Sequence, residues 1–339
     1  MVLEPEVFSD TRRSIAALIA LGDLNGAAHE TRSYMQNAPD EPEPKALADR
    51  IVRLAITSDA ADAMKPVAVL GAQDPSYWAA WIESRLAAGD IVQAETAFQQ
   101  AAEHGTEDAA LLRAGALIAL RAQRRDLEAE RWSALVKLSP GDLGAVRRAT
   151  VAFSALGDLE AAYALVVDGL QQQPDHMALL SLKANIASRM GNWADVLDAW
   201  KAYGAQNELT PSIIAQTGRA LRGLERFDQA AAIIKAGLKD TPDNADLVLE
   251  NARIADDRAA AADASSDAKM NTDRLNAWKA AVQVATADPG AWQGLILTLL
   301  DGGNSDGARA AVTHARSSLP DITHLLKNRR LRALVEGAS

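Results

Sequence analysis

The sequence predicts an all-α protein built from about nine antiparallel helix-turn-helix repeats stacked into a solenoid and closed by a C-terminal helix. Two observations lead to this fold class. A pattern of helical periodicity, a tight turn and a closing proline recurs about every 34 residues. In addition, hydrophobic residues make up 48% of the chain but aromatic residues only 4%, so alanine supplies much of the apolar surface, as close helix packing requires.

Residues 144–174 show the repeating unit most clearly. Apolar residues recur at spacings of three and four in two short stretches, which predicts two amphipathic helices. Between them, Gly157 permits the left-handed backbone that ends a helix, and Asp158 can cap the next one. Pro174 ends the unit because proline does not fit inside a continuing helix. The pattern predicts a buried face made of Val146, Ala149, Val151, Ala152 and Phe153 in the first helix and Leu159, Ala162, Leu165, Val166 and Leu170 in the second.

Two helices of this length cannot bury both of their apolar faces alone, so the unit requires neighbours of its own kind. The matching positions of other repeats carry the same residue types: Trp78, Gly89, Ala94 and Phe98; Phe153, Gly157, Ala162 and Pro174; Trp292, Gly303, Ala308 and Pro320. With these residues the chain resembles the tetratricopeptide repeat (TPR) family over nearly its whole length. The resemblance implies a right-handed solenoid whose first helices line a concave surface, where members of the family bind peptides or partner proteins.

The predicted solenoid is continuous over residues 1–320, with repeats at 8–39, 45–75, 76–106, 107–140, 141–174, 175–209, 210–242, 243–289 and 289–320. The predicted turns without glycine include Ser58-Asp59 in the second repeat, Arg124-Arg125-Asp126 in the fourth and Glu225-Arg226-Phe227 in the seventh. The eighth repeat carries an insertion at 258–271, interpreted either as an alanine-extended helix with a loop or as a flap over a binding surface. Residues 321–339 are predicted to form a capping helix, spanning 322–335, and a tail.

Charge and composition exclude several classes of function. The chain has 45 acidic and 35 basic residues, a formal net charge of −10, which disfavours binding to nucleic acid. It contains no cysteine, so disulfides and thiolate chemistry are excluded. No signal peptide and no membrane-spanning run are evident, which predicts a cytoplasmic protein without membrane insertion. A periplasmic location stays open if a leader precedes this sequence.

No motif of an enzyme is present, and the sequence predicts a protein without catalytic residues, metal or cofactor. There is no phosphate-binding loop, dinucleotide fingerprint, zinc-protease motif or nucleophile elbow. The segment 301–307 lacks the alternating ligands and closing glutamate of a calcium loop, so an interhelical turn is expected. The five histidines are dispersed and are expected to be surface or partly packed residues: His29, His104, His176, His314 and His324.

Tryptophan is expected to serve packing. Trp78 and Trp292 occupy the position of the packing residue in the first helix, whereas Trp81 and Trp132 are expected to be partly exposed. Trp193, Trp200 and Trp278 are expected to pack between repeats.

The candidate binding residues lie on the first helices of repeats four to eight. Their non-packing positions carry mostly arginine, which suits carboxylates because its planar guanidinium offers five donors. The asparagine can bond to a peptide backbone. The predicted set is Arg113, Arg121, Arg147, Asn185, Arg189, Arg219, Arg222 and Arg253. This arrangement is similar to the carboxylate clamp of some members of the family, with Asn185 and Arg219 as the nearest counterparts.

Several functions remain open at this stage. The first is a scaffold that binds an acidic peptide or partner protein in its groove. Others are a docking or regulatory subunit of a separate bacterial enzyme, such as a glycosyl- or sulfo-transferase, and a self-assembling, homo-oligomeric solenoid. Alternatively, the arginines are ordinary solvated or paired side chains, with Glu225, Glu250, Asp256 and Asp257 as candidate partners.

Overall fold

The computed structural model describes residues 5–58, 63–72, 74–103, 108–262 and 268–336. These residues form twenty α-helices, connected by turns and short loops, and no β-strand. The chain divides into two compact units, Met1–Pro174 and Asp175–Ser339. His104, much of the predicted turn around 58–59 and the centre of the insertion, 263–267, lie outside the described residues. The continuous solenoid and its repeat boundaries stay predictions.

The first unit contains five helical hairpins. In each hairpin the first helix packs against the second helix, and two pairs of neighbouring first helices also meet, α3 with α5 and α5 with α7. The helices are α1 (Pro5–Ala20), α2 (Leu24–Asn37), α3 (Pro42–Thr57), α4 (Met64–Gly71), α5 (Ser76–Ala87), α6 (Ile91–Glu103), α7 (Ala109–Arg121), α8 (Arg125–Leu138), α9 (Leu143–Leu156) and α10 (Leu159–Gln172).

The second unit contains four hairpins and a C-terminal cap. Helix α13 packs on α15, and α14 contacts both of them, so the first helices lie side by side. The helices are α11 (Met177–Met190), α12 (Trp193–Gly204), α13 (Pro211–Gly223), α14 (Phe227–Asp240), α15 (Ala245–Ala261), α16 (Ala268–Val284), α17 (Pro289–Asp301), α18 (Ser305–Ser318), α19 (Thr323–Leu326) and α20 (Arg329–Glu336).

Small residues and large rings together set the spacing between helices. Trp278 of α16 is buried against Gly294 of α17, where a Cβ atom would lie 2.3 Å from the indole ring. Since that distance is far below any van der Waals contact, only glycine lets α17 approach α16 this closely. Trp78 and Trp292 are buried as predicted. The expectation that Trp81 and Trp132 are partly exposed is wrong, because Trp81 is only 2% exposed and Trp132 only 3%.

The structure refines three other expectations. Val151 is 42% exposed, although the periodicity assigned it to the buried face of α9. The insertion is helical at both ends, because α15 continues to Ala261 and α16 begins at Ala268. The C-terminal cap consists of two short helices, since the Asn328 side chain accepts hydrogen bonds from the backbone N–H groups of Arg330 and Leu331 and so starts a new helix.

No helix in the described part of the chain is both long and apolar enough to cross a bilayer.

Seven turns inside the hairpins, those that the structure describes in full, contain a residue in the left-handed region whether or not it is glycine. Gly157 has φ +84° and Gly191 has φ +74°, and where glycine is absent Gln123 has φ +57° and Glu225 has φ +59°. A residue with a Cβ atom is strained in this left-handed region by about 1–2 kcal/mol. The packing of the helices in each repeat therefore holds Gln123 and Glu225 in a left-handed conformation that these residue types do not favour.

We predict that Glu225→Gly stabilises the protein by about 1 kcal/mol, because strain relief exceeds the added entropy of the unfolded chain. Gly191→Ala is the matched control and should destabilise it by about 1 kcal/mol. No atom lies within 4 Å of the Cβ position at Gly191, so only the backbone responds there. Urea denaturation followed by circular dichroism measures both changes. A loss of stability in Glu225→Gly would contradict the interpretation.

Candidate functional site

The centre of the candidate site is a buried carboxylate on α15. Glu250 is only 1% exposed, although it lies on a first helix whose polar residues were expected to face solvent. Gly218 on the neighbouring α13 lies close to the Glu250 stem: a Cβ atom built on Gly218 would be in ordinary van der Waals contact with Glu250 Cγ, at 3.6 Å, but would clash with Ile234 of α14, at 2.6 Å. A buried carboxylate destabilises the fold unless a cation pairs with it. The cations around Glu250 therefore stabilise the structure and are also candidates for binding a ligand.

Three of the predicted arginines converge on Glu250. Arg222 of α13 donates a hydrogen bond of 2.6 Å from Nε to Glu250 Oε1, and a second of 2.6 Å from Nη1 to Asp257 Oδ2. Arg219 Nε and Arg253 Nη1 lie 3.7 and 3.6 Å from the other oxygen, Oε2. We call Arg219, Arg222 and Arg253, with Glu250 at their centre, the arginine cluster.

The three arginines are held to different degrees. Arg222 is 22% exposed and bonded to two carboxylates, whereas Arg219 and Arg253 are 44% and 38% exposed. Burial lowers the pKa of the Arg222 guanidinium, but the bonds to Glu250 and Asp257 outweigh that effect and leave the pKa above its usual value. Arg222 is therefore a fixed cation. Arg219 and Arg253 approach Glu250 at distances too long for a hydrogen bond.

A second charged network continues from the cluster toward the C-terminus. Arg274 of α16 pairs with Asp256 of α15 and with Asp301 of α17, the latter at 3.0 Å. Trp278 Nε1 donates to Asp256 at 2.9 Å, and Arg330 of α20 reaches Asp301 at 2.8 Å. Burial raises the pKa of the Asp256 carboxyl, and the contacts with Arg274 and Trp278 only partly offset this rise.

The other predicted residues do not join the cluster. Asn185 and Arg189 are exposed on α11. In the first unit, Arg113 pairs with Asp142, the residue that caps α9. Arg121 and Arg147 are exposed on α7 and α9, and neither makes an ion pair with another described residue.

The predicted arginines were interpreted either as a ligand-binding set or as ordinary solvated or paired side chains, and the structure contains features of both. Of the proposed partners, Glu250 and Asp257 bind arginines of the predicted set, whereas Asp256 binds Arg274, which lies outside that set. The burial of Glu250 could not be predicted from the sequence, because a glutamate among the polar residues of a helix usually faces solvent. Among the described residues, no group of three histidine or carboxylate side chains could hold a metal ion.

We predict that Arg222→Gln destabilises the second unit by about 2–4 kcal/mol, because Glu250 loses the one cation that is hydrogen-bonded to it among the described residues. Arg253→Gln should cost less than about 1 kcal/mol, since Arg253 is half-exposed and forms only a long ion pair. Urea denaturation of the two variants gives the comparison. An equal loss of unfolding free energy in the two variants would contradict the prediction that Arg222 stabilises Glu250 more than Arg253 does.

Comparisons with known proteins agree with the repeat architecture. A scan against protein-family models finds no match, and no curated protein sequence matches either. The C-terminal part of a TPR repeat-containing protein from Cytophaga hutchinsonii superposes with a TM-score of 0.55 and 11% identity, covering 76% of this chain and 99% of that one. A tetratricopeptide repeat protein from Parabacteroides merdae gives a TM-score of 0.49 and 13% identity, with 78% and 99% covered.

The recurring turns, the paired helices and the likeness to the Cytophaga structure together confirm the resemblance: this chain has the tetratricopeptide-repeat fold.

Proposed function

We propose that this protein is a binding scaffold whose arginine cluster on α13 and α15 receives an acidic segment of a partner protein. The observation that carries the proposal is that two half-exposed guanidiniums, Arg219 and Arg253, face the same buried oxygen without bonding to it. The N–H donors of Arg219 and Arg253 remain available to a carboxylate of the ligand. The buried Glu250 carboxylate keeps the two guanidiniums close together. Charge-assisted bonds of this kind are about twice as strong as neutral ones.

The charge balance of the cluster supports an anionic ligand. Three guanidiniums are opposed by two carboxylates, those of Glu250 and Asp257. One positive charge is therefore left over on a chain whose net charge is −10. A carboxylate from a partner would neutralise that excess, and the surrounding negative charge of the chain would reject acidic segments placed elsewhere.

Preorganisation favours the same ligand. Arg222 is already fixed by two hydrogen bonds, and it holds Glu250 between the two helices. A ligand then needs to order only Arg219 and Arg253, which reduces the entropy lost on binding. Asn185 and Arg189 on α11 remain candidate contacts for further ligand residues. Within the first unit, Arg121 and Arg147 remain candidates for a separate acidic ligand, whereas Arg113 would first have to leave Asp142.

The test uses a fluorescein-labelled hexaglutamate peptide and fluorescence anisotropy. Arg219→Gln combined with Arg253→Gln should weaken binding at least tenfold, because each lost charge-assisted bond is worth about 1.5–3 kcal/mol. Affinity should also fall as the salt concentration rises. Glutamine keeps the side chain polar and places no negative charge beside Glu250.

Arg309→Gln is the control, because Arg309 is a 55% exposed arginine on the second helix α18, where it pairs only with Asp306 among the residues described. This variant should bind the peptide like the unaltered protein. Undiminished binding by the double variant, or an equal loss in the control, would refute the proposal.

A further inference from the structure

Three equivalent grooves run along the second unit on the side of the second helices. Each lies between two successive second helices and has a first helix as its floor: α12 and α14 over α13, α14 and α16 over α15, and α16 and α18 over α17. Their volumes are about 460, 390 and 770 Å³, respectively. No residue of the arginine cluster is among those that line the three grooves, so the grooves are a separate surface.

The groove between α16 and α18, hereafter the α16–α18 groove, has the largest volume of the three. Its floor is formed by Trp292, Leu295 and Leu299, which are buried to more than 90% and present apolar edges to the groove. Most side chains of the α18 wall are short, including Ala310 and Ala311, and His314 is the longest of them. Short side chains on this wall leave space above the floor.

The α16–α18 groove differs from the other two because no acidic residue is among the described residues that line it. Asp198 lines the α12–α14 groove beside Lys201 and Arg226, and Asp273 lines the α14–α16 groove beside Arg258 and Lys269. Its rim carries Lys279 on α16 and His314 on α18, both exposed. In a chain with 45 acidic and 35 basic residues, a lining without carboxylates accepts negative charge from a partner without repulsion.

We infer that the α16–α18 groove docks an amphipathic α-helix of a partner protein, with the apolar stripe of that helix on Trp292, Leu295 and Leu299 and its acidic flank against Lys279. Two helices with a third lying across their groove repeat the packing that α16, α17 and α18 already use among themselves. The apolar contact supplies affinity, and Lys279 fixes which way round the helix lies. This surface would act alongside the arginine cluster and independently of it.

The probe for this inference is a fluorescein-labelled peptide of about four helical turns with leucines at i, i+3, i+4 and i+7. One version has glutamates flanking the leucine stripe, and its partner version has lysines there. The glutamate peptide should bind at least fivefold more tightly than the lysine peptide. Lys279→Glu should reduce or reverse this preference, and Lys201→Glu on the α12–α14 groove should leave it unchanged. An unchanged preference in Lys279→Glu would overturn the inference.

Blocking the groove gives the second arm. Ala310→Trp places a large ring in the α16–α18 groove from an exposed position and should weaken binding of the glutamate peptide at least tenfold. Ala194→Trp is the matched control, since Ala194 is an exposed alanine that lines the α12–α14 groove. Circular dichroism checks that both variants are folded. Equal affinities of the two variants, or no binding to the unaltered protein, would overturn the inference.

A last variant separates this surface from the arginine cluster. Arg219→Gln combined with Arg253→Gln should bind the glutamate helix as tightly as the unaltered protein, whereas its binding to hexaglutamate is expected to fall. If the double variant loses the helical peptide, that peptide occupies the arginine cluster and the groove assignment is wrong.

Discussion

Glu250 places a negative charge between two neighbouring repeats, where an unpaired carboxylate would cost several kcal/mol. Arg222 compensates that charge from the preceding repeat, and its second hydrogen bond to Asp257 keeps the guanidinium in place. The pairing therefore requires the correct register of α13 against α15. It also gathers Arg219 and Arg253 at one point, so the same contact joins two repeats and creates the candidate site.

Other charged contacts of the second unit join helices both within a repeat and between neighbouring repeats. Asp256 and Asp257 are adjacent on α15, yet Asp257 reaches back to α13 and Asp256 reaches forward to α16. Through Arg274 and Asp301 the forward contacts extend to Arg330 in the C-terminal cap. Stability in a repeat array depends on such nearest-neighbour interfaces, because no single hairpin buries both of its apolar faces. The groove between α16 and α18 lies within this tightly connected part.

The sequence predicted the repeat well because its signals are local. Turn residues and closing prolines appear at one period, and even Gln123 and Glu225 adopt the turn that glycine adopts elsewhere. Burial depends on neighbours that are distant in sequence, and there the predictions were weaker. Glu250 is buried and bonded to Arg222 of the preceding repeat, and Val151 is exposed although the helical period places it inside. The arginine positions followed from the period, but their convergence on one carboxylate did not.

The central claim, that Arg222 and Glu250 couple adjacent repeats and organise the site, is tested most directly by a double-mutant cycle. Arg222→Gln, Glu250→Gln and the double variant are compared by urea denaturation. A coupling free energy of at least about 1.5 kcal/mol is expected, so the double variant should be more stable than the sum of the two single changes implies. Additive effects within about 0.5 kcal/mol would show that the two side chains act independently and would contradict the account.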